Sequence, residues 1–309
     1  MMTAPDTQRI RGRLLYNEPM YKHTSWRVGG NADQFYTPAD IEDLALFISS
    51  LPVSEAVLFI GLGSNLLVRD EGIRGTVISL KGSLSEIETA ESSRGIKNNS
   101  GDIYLKAGAG VSCAKLARYC QRNDLLGGEF FAGIPGLMGG ALAMNAGAFG
   151  GETWSFVQSV VTVDMQGTIH RRMADEYVIA YRSVTGKGRE WFVSADLKFK
   201  KGSGDEPAAR VRGLLEVRNK TQPIGLPSCG SVFKNPENDY AARLIEACGL
   251  KGAVMGGAVV SEKHANFIIN TGDAKASDIE QLIRHVQKTV KEEQGVDLQT
   301  EVKVVGGAE

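Results

Sequence analysis

The stretch from Gly127 to Gly151 reads GGEFFAGIPGLMGGALAMNAGAFGG and holds nine of the chain's 37 glycines, with Glu129 as its one charged residue. Glycine loses more backbone entropy on folding than any other residue, so keeping many together indicates a backbone that passes close to another group. Large apolar residues lie among the glycines, namely Phe130, Phe131, Ile134, Leu137 and Met138. A phosphate would need the glycines alone, whereas a flat cofactor ring fits both features. A tightly packed turn without ligand is the alternative.

Length, composition and charge bound the class of protein. The chain has 309 residues, of which 42% are hydrophobic, which is ample for a buried core in two domains or in one domain with a cap. The net charge of -1 gives no indication of nucleic acid or an anionic membrane as a partner. No apolar run approaches the roughly 20 residues of a membrane-spanning helix. Residues 1–13 are polar and lack the core of a signal peptide.

The four cysteines and four histidines indicate a reduced protein without a metal site. Four cysteines are too few for a disulfide scaffold. Cys113 and Cys120 are predicted to share one helix, where their separation is about 10 Å, and this is beyond the reach of a disulfide. The histidines are scattered without the spacing of metal ligands. We therefore expect a cytoplasmic protein that binds no metal and has no obligate protein partner.

The order of the predicted elements indicates an α+β protein in two parts. Apolar periodicity with capping residues predicts helices after Asp40, Ser112 and Ser277, and two more over 208–220 and 240–248. Strands are predicted over 56–60, 76–80, 103–107, 157–165, 167–171, 191–199 and 298–305. The charged, small residues of 200–207 favour a linker. We expect an N-terminal extension over residues 1–20, one domain over 21–200 and a second over 201–309.

A second glycine motif, GLGSN, follows a short apolar strand. The N–H groups of Gly61, Gly63, Ser64 and Asn65, with the Ser64 hydroxyl, can cradle a diphosphate. The motif differs from the dinucleotide fingerprint, because Leu66 stands where its third glycine would be, and it lacks the ending of a P-loop. An ordinary turn between strands is the alternative.

Three polar residues could carry chemistry. Ser231 follows Gly230 in a proline-bounded loop without a GxSxG elbow, so it fits a proton donor better than an acyl nucleophile. Arg182 lies in a short polar break between strands and could pair with a carboxylate or phosphate in a planar fork. Glu301 lies among apolar residues of the closing strand and could point into a site. The alternatives are a turn-capping serine, a solvated arginine and a glutamate that faces water.

Two further residues lie near these candidates. Cys229 is close to Ser231, but no partner histidine is identifiable, so we interpret it as a packing residue. His264 lies in a polar stretch just before a strand, where it could touch a ligand or simply lie at the surface.

Taken together, these segments resemble the UDP-N-acetylenolpyruvoylglucosamine reductases, the flavoenzymes of peptidoglycan precursor synthesis. The match extends from about Tyr21 to Gly306, in the family's order and spacing. Each motif alone is weak, and the ordered set is specific. The short connection between Pro236 and Tyr240 resembles the shorter type of this family. The matching segments are Gly61–Asn65, Ile134–Gly140, Asn145–Ala148, Tyr181–Arg182, Cys229–Pro236 and Glu301–Val302.

The resemblance implies an α+β fold with a two-lobed FAD-binding domain of the vanillyl-alcohol-oxidase (PCMH-type) group and a C-terminal α+β substrate domain. It also implies FAD held without a covalent bond and NADPH as co-substrate. The FAD diphosphate would lie on Gly61–Asn65. The flavin ring would border a set of residues in the glycine-rich stretch, namely Ile134, Pro135, Gly136, Gly139, Gly140, Asn145, Ala146 and Gly147.

The resemblance further implies roles for the polar residues. Hydride would pass from NADPH through FAD to C3 of UDP-N-acetylglucosamine enolpyruvate. Arg182 would stabilise the developing enolate, Ser231 would protonate C2, and Glu301 would orient or polarise the substrate carboxylate. The other substrate-side positions would be Tyr181, Asn235 and His264.

One position departs from the family pattern, and two other functions stay open. Some relatives have Lys directly before Gln-Pro, whereas here Thr221 occupies that place and Lys220 precedes it, so the group that meets the UDP diphosphate is not identified. A flavin oxidase of the same fold would reduce O₂ and, in some members of that group, would hold FAD covalently through His or Cys. A non-catalytic protein that binds a nucleotide sugar or a flavin is the other alternative.

Overall fold

The computed structural model describes residues 10–89, 102–186, 188–202 and 206–307. Helices and strands are mixed along these residues. The helices are α1 Ile41–Ser49, α2 Cys113–Arg122, α3 Met138–Ala143, α4 Glu206–Thr221, α5 Ala241–Ala247 and α6 Ala276–Gln294. Short 3₁₀ helices are Met20–Lys22, Glu129–Gly133, Thr153–Ser155 and Ala174–Glu176.

The strands of the first two-thirds of the chain are β1 Arg13–Pro19, β2 Asn31–Thr37, β3 Val57–Ile60, β4 Leu66–Val68, β5 Ile73–Ser79, β6 Ile87–Thr89, β7 Asp102–Gly108, β8 Leu125–Leu126, β9 Gly147–Ala148, β10 Gly151–Glu152, β11 Val157–Asp164, β12 Ile169–Met173, β13 Val178–Ala180, β14 Ser183–Thr185 and β15 Glu190–Lys201. The last third adds β16 Val254–Met255, β17 Ala258–Val260, β18 Ile268–Asn270 and β19 Lys303–Val305.

The chain divides into two compact units, and neither is a continuous piece of sequence. The first unit comprises Met1–Leu15, Phe35–Gly61 and Val77–Glu216. The second comprises Tyr16–Gln34, Leu62–Thr76 and Val217–Glu309. The predicted division at residues 20 and 200 stays a prediction.

A six-stranded sheet in the order β12-β11-β15-β7-β6, with β8 paired to the end of β15, is the largest layer of the first unit. Strand β15 lies in its middle and pairs antiparallel with β11 and β7. Alternate β15 side chains are apolar and fully buried, among them Leu197 and Phe199. They pack with Leu116 of α2 and Met138 of α3, so both helices lie over one face of this sheet.

Helix α1 anchors a second apolar cluster of the first unit. The Asp40 side chain accepts a hydrogen bond of 2.9 Å from Asp43 N, which confirms the predicted cap. Leu44 and Phe47 are fully buried, and the Phe47 ring stacks on Tyr36 with ring centroids 3.7 Å apart. A four-stranded sheet has the order β1-β2-β5-β3.

The second unit is built around α6, whose apolar face includes the buried residues Ile279, Leu282 and Ile283. Strands β16, β17 and β18 form an antiparallel sheet, and β4 pairs in parallel with β19. The indole of Trp26 is fully buried and donates to Ile268 O at 2.7 Å. N-terminal segments are therefore integral to the core of this unit.

Most predicted elements are confirmed, and two predictions at the C-terminal end are wrong. Ser112 caps α2, accepting a hydrogen bond from Lys115 N at 3.1 Å, as predicted. The closing strand is only Lys303–Val305, not 298–305. The residues before it bond to another loop instead, because Lys234 N donates to Gln299 O at 2.9 Å and Glu301 N donates to Val232 O at 2.8 Å.

The predicted cap of α6 by Ser277 is also wrong. The helix begins at Ala276, and the N–H groups of Ala276 and Ser277 donate to the Asp70 carboxylate at 2.9 and 3.0 Å. This carboxylate comes from a segment far away in sequence, so local periodicity could not reveal it. Burial of the carboxyl is the largest influence and raises its pKa, but the hydrogen bonds from Ser277 and Ala276 outweigh it and keep the pKa of Asp70 below the ordinary value.

Replacing Asp70 by alanine is expected to lower the unfolding free energy by about 1 kcal/mol at neutral pH, the usual effect of losing a helix cap. Because the folded pKa is lowered, the carboxylate's contribution is present above the unfolded pKa of about 3.9 and is lost as pH falls through the folded value. Thermal unfolding of wild type and variant at pH 7 measures the loss of stability, and the same comparison in acid measures its dependence on pH. Ser277→Ala is the control and should have a smaller effect, while equal effects would contradict the assignment.

Candidate active site

The glycine-rich stretch, called the ribbon below, folds into a 3₁₀ helix, α3 and a hairpin of β9 and β10. Several of its glycines make room for the protein's own side chains. A Cβ on Gly133 would lie 2.4 Å from the Phe149 ring, and one on Gly151 would lie 2.6 Å from the Phe130 ring. At these positions glycine is needed for packing inside the ribbon, which is the alternative that the sequence left open.

The large apolar residues of the ribbon also face the core rather than an open surface. They are at most 9% exposed and belong to the apolar clusters of the first unit; they are Phe130, Phe131, Ile134, Leu137 and Met138. Their burial shows what they pack against within the protein, and a role of these side chains beside a cofactor ring stays a prediction. These side chains attach the ribbon to the apolar core of the first unit.

Helix α3 offers a surface of a different kind. A Cβ on Gly140 would meet no atom within 4 Å, and Gly140 and Ala143 are both exposed. Gly140 and Ala143 are three positions apart and therefore share a helix face, whereas a Cβ on the half-buried Gly139 would lie 3.1 Å from the Ala109 side chain. Pro135 is exposed just before the helix. This face carries almost no side chain, and a flat ring could lie directly against the backbone.

Tyr181 and Arg182 form the tip of a hairpin between β13 and β14. Arg182 has a left-handed backbone with φ of 52° and is half-buried. Its Nη2 donates to Gly147 O at 2.8 Å, its Nη1 donates to Asn145 O at 3.3 Å, and its guanidinium lies 4.9 Å from the centroid of the Tyr181 ring. The solvated-surface alternative for Arg182 is thus wrong, since two ribbon carbonyls hold the side chain.

Asn145 connects the ribbon to this hairpin. Its side chain is 1% exposed and its Nδ2 donates to Glu152 Oε2 at 2.9 Å and to Ala180 O at 3.3 Å. Its Oδ1 accepts from Trp154 N at 3.1 Å. The predicted residues Asn145, Gly147 and Arg182 therefore lie together, and Glu152 is a neighbour that the sequence did not single out.

The GLGSN motif begins in the first unit, at Gly61, and continues in the second. Gly63 has φ of 60°, and a Cβ there would lie 2.1 Å from His23 O, so only glycine fits this turn. Asn65 Nδ2 donates to Glu301 O at 3.0 Å. Lys303 N donates to Asn65 O at 3.1 Å. The segment after the motif is β4 and not a helix, as predicted.

Ser231 and Glu301 lie on adjacent backbone segments of the second unit. Val232, the residue after Ser231, accepts through its carbonyl from Glu301 N at 2.8 Å. Gly230, the residue before Ser231, has φ of 70°. Ser231 and Glu301 are both half-buried. Asn65 thus joins the end of the glycine motif to Glu301, whose N–H in turn bonds to the residue after Ser231.

Asn266 holds the Ser231 loop and was missed by the sequence interpretation. Its Oδ1 accepts from Phe233 N at 2.9 Å, its Nδ2 donates to Phe233 O at 2.8 Å, and its backbone O accepts from Val232 N at 2.9 Å. The side chain is 3% exposed. The only sign of this role in the sequence is an asparagine shortly before a buried strand. The sequence does not show that its partner is Phe233.

The two other substrate-side predictions have visible structural contacts. Asn235 Oδ1 accepts from Ala241 N at 3.1 Å at the start of α5. His264 is half-buried beside Phe267, with ring centroids 4.8 Å apart, and its Nδ1 accepts from Asn266 N at 3.3 Å. Burial lowers the pKa of His264, so neutral imidazole is favoured. Substrate contact by either residue stays a prediction.

The cysteines are free thiols, as expected, and Cys113 and Cys120 share α2. Cys229 is 3% exposed, and its Sγ lies 3.4 Å from Gly63 O. Burial raises the pKa of the Cys229 thiol to about 12, so it is a poor nucleophile near neutral pH. Its packing against the Gly63 turn agrees with the structural role that we assigned to it.

A cavity of about 320 Å³ lies in the first unit between the start of α1 and strands β7 and β15. The buried hydroxyls of Ser83 and Ser194 line it and have no hydrogen-bond partner among the residues that the structure describes. Lys106 and Glu42 lie at its wall. Such unsatisfied hydroxyls fit a ligand with several hydrogen-bonding groups.

The described residues also bear on metal sites, membrane spans and the surroundings of Thr221. No group of three or more His, Cys, Asp or Glu residues arranged for a metal ion occurs in the described ranges. No helix within those ranges is long and apolar enough to cross a bilayer. Thr221 Oγ1 donates back to Val217 O at 2.9 Å, while Lys263 Nζ donates to Asn219 O at 2.6 Å near the end of α4.

Comparison with known families defines the class of protein. Residues 32–172 match the family described as FAD binding domain. Residues 222–305 match the family described as UDP-N-acetylenolpyruvoylglucosamine reductase, C-terminal domain. An α+β chain with these two parts is an FAD-containing oxidoreductase, and the predicted α+β fold class with an FAD-binding domain is confirmed.

Full-length relatives define the family within this class. UDP-N-acetylenolpyruvoylglucosamine reductase of Alkalilimnicola ehrlichii is 52% identical over 308 residues, and the alignment covers 100% of this chain and 100% of that protein. The same enzyme of Legionella pneumophila is 52% identical over 99% of this chain and 98% of its own. The crystal structure of the Thermus caldophilus enzyme matches with a TM-score of 0.78 at 31% identity, covering 96% of this chain and 99% of that one. The chain belongs to the UDP-N-acetylenolpyruvoylglucosamine reductase family.

Proposed function

We propose that this chain uses FAD and NADPH to reduce UDP-N-acetylglucosamine enolpyruvate to UDP-N-acetylmuramate, a step of peptidoglycan precursor synthesis in the cytoplasm. The 52% identity over the whole chain to reductases of that name supports the substrate. The observation that carries the proposal is Arg182, a half-buried cation held by the carbonyls of Asn145 and Gly147 in the ribbon. A fixed positive charge beside a bare backbone face suits a reaction that develops negative charge.

The described residues fit FAD. In this proposal Gly61, Gly63, Ser64 and Asn65 bind its diphosphate, and Gly139 and Gly140 of α3, with the other ring-side residues that the resemblance implies, border its ring. The cavity with the unsatisfied hydroxyls of Ser83 and Ser194 suits the hydrogen-bonding groups of the adenosine part. Residues 21–200 would form the FAD-binding domain and residues 201–309 the substrate domain.

In this proposal each predicted site residue has a separate role in the reaction. FAD, when bound, supplies hydride transfer from NADPH to C3 of the enolpyruvyl group. Arg182 stabilises the negative charge that spreads into the substrate carboxylate. Ser231 donates its hydroxyl proton to C2, and Glu301 orients the carboxylate. Tyr181, Asn235 and His264 contact the substrate. No protein partner or metal ion is required by this scheme.

An absorbance spectrum of the purified protein, followed by anaerobic addition of NADPH and then of the enolpyruvyl sugar nucleotide, tests the proposal. We expect a flavin spectrum, bleaching by NADPH and recovery on addition of substrate. Denaturation should release all of the yellow colour, since the FAD is not covalently bound. A colourless protein that refuses added FAD would contradict the proposal. If the flavin colour returned with O₂ but not with substrate, the protein would be an oxidase. If NADPH did not bleach the flavin, the protein would be a non-catalytic binding protein.

A further inference from the structure

Glu152 faces Arg182 across the ribbon hairpin. Strands β9 and β10 are joined by Phe149 and Gly150, which both have positive φ, of 53° and 83°. This is the conformation of a two-residue turn that fixes strand register, and it sets Glu152 opposite Gly147. A Cβ on Gly147 would lie 3.0 Å from Arg182 Nη1 and 3.3 Å from Glu152 Cγ. The two side chains therefore flank the same glycine.

Asn145 links these two side chains. Glu152 Oε2 accepts from Asn145 Nδ2 at 2.9 Å, and the same Nδ2 donates to Ala180 O at 3.3 Å, two residues before Arg182. The carbonyl of Asn145 in turn accepts from Arg182 Nη1. Asn145 thus contacts both the backbone that carries the arginine and the guanidinium itself. Its side-chain amide can serve the contacts with Glu152 and Ala180 only in one orientation, while the contact with the guanidinium is made by its backbone carbonyl.

Glu152 is the side chain among the three groups that set this orientation, and the other two are the backbone groups Ala180 O and Trp154 N. An amide side chain has distinct donor and acceptor ends, and a carboxylate accepts only. Asn145 Nδ2 must therefore point to Glu152, which leaves Oδ1 to accept from Trp154 N at 3.1 Å. Asn145 itself has a left-handed backbone with φ of 44°, so its position depends on such contacts.

We propose that Glu152 is a positioning residue that fixes Arg182 through Asn145 for the reaction with the enolpyruvyl substrate. The inference rests on the proposed function and extends it to a residue that does not touch the reacting atoms. What Glu152 supplies is a hydrogen-bond acceptor in the right place, and its charge is secondary.

Half-reaction kinetics test this positioning role. Glu152→Ala is expected to leave flavin reduction by NADPH nearly unchanged and to slow flavin reoxidation by the substrate by about 10- to 100-fold, the effect of a misplaced catalytic group. Glu152→Gln still offers an oxygen to Asn145 and should keep most of the rate. In the double variant Asn145→Asp with Glu152→Gln, donor and acceptor are exchanged, and the rate should recover relative to Asn145→Asp alone.

A second measurement does not depend on turnover. In protein labelled with ¹⁵N-arginine, the signal missing from Arg182→Lys identifies the Arg182 Nε–H. We expect this signal to be sharp in the wild type and in Glu152→Gln, and shifted or broadened in Glu152→Ala. An unchanged signal with an unchanged rate would overturn the inference. If substrate failed to reoxidise the reduced flavin of the wild-type protein, the proposed function would be overturned. The Arg182 Nε–H signal would still show whether Glu152 holds Arg182 in place.

Discussion

Replacing Ser231 by alanine is expected to slow reoxidation of the reduced flavin by substrate at least ~100-fold, the scale of a lost general acid. Reduction by NADPH should stay nearly intact, because the hydroxyl is needed only to protonate C2. The loop itself should survive the change. Val232 N is bonded to Asn266 O, and Cys229 is buried on the other side of Gly230, so the backbone is held without the Ser231 hydroxyl. Stopped-flow absorbance of the flavin measures each half-reaction separately.

Ser228 offers a matched control in the same loop. It is half-buried, and its hydroxyl reaches only the neighbouring Leu226 O, at 3.4 Å, among the contacts described for it. Ser228→Ala should leave both half-reactions close to the wild type. If Ser231→Ala instead slowed both half-reactions equally, the hydroxyl would be supporting the structure rather than donating a proton.

Lysine in place of Arg182 should also slow flavin reoxidation strongly, by about 100-fold, the effect of losing one charge-stabilising donor. The guanidinium reaches Asn145 O and Gly147 O with two different nitrogens and stacks on Tyr181. A single ammonium cannot reproduce this planar fork. The kcat for substrate reduction and the rate of flavin bleaching by NADPH together measure the effect.

The left-handed backbone at Arg182 calls for its own control. Asparagine tolerates φ near 52° better than most residues, so Arg182→Asn keeps the hairpin while removing the charge. We expect it to be at least as slow as Arg182→Lys, with a thermal stability close to the wild type. Near-normal turnover of either variant would refute a role for the charge in the reaction.

Local features were the ones that the sequence predicted well. Asp40 and Ser112 lie next to the helices that they cap, and their partners are three residues away. The helix pattern of α6 and its end at Gly295, with φ of 70°, are equally local. The resemblance to the family added the ordered motifs, and full-length relatives confirm the family and the FAD-binding fold.

Contacts between distant segments explain what the sequence could not show. Asp70 caps a helix that starts some 200 residues later, and Asn266 holds the loop of Ser231 through Phe233. The ribbon illustrates the same limit, because Gly133 is glycine to admit the ring of Phe149, and the sequence does not show that these two residues meet. A run of glycines signals close approach, but not which atoms approach.

The parallel pairing of β4 with β19 bears on how the protein is made. Val68 lies opposite Val305, so strand β4 has no partner in this pairing until a strand more than 200 residues later has been synthesised. Domains generally fold as units during synthesis, yet the second unit can close only after β19 has been synthesised. Until then the early turn around Gly63 lacks its β4–β19 support, and a nascent chain released near residue 200 would never acquire it.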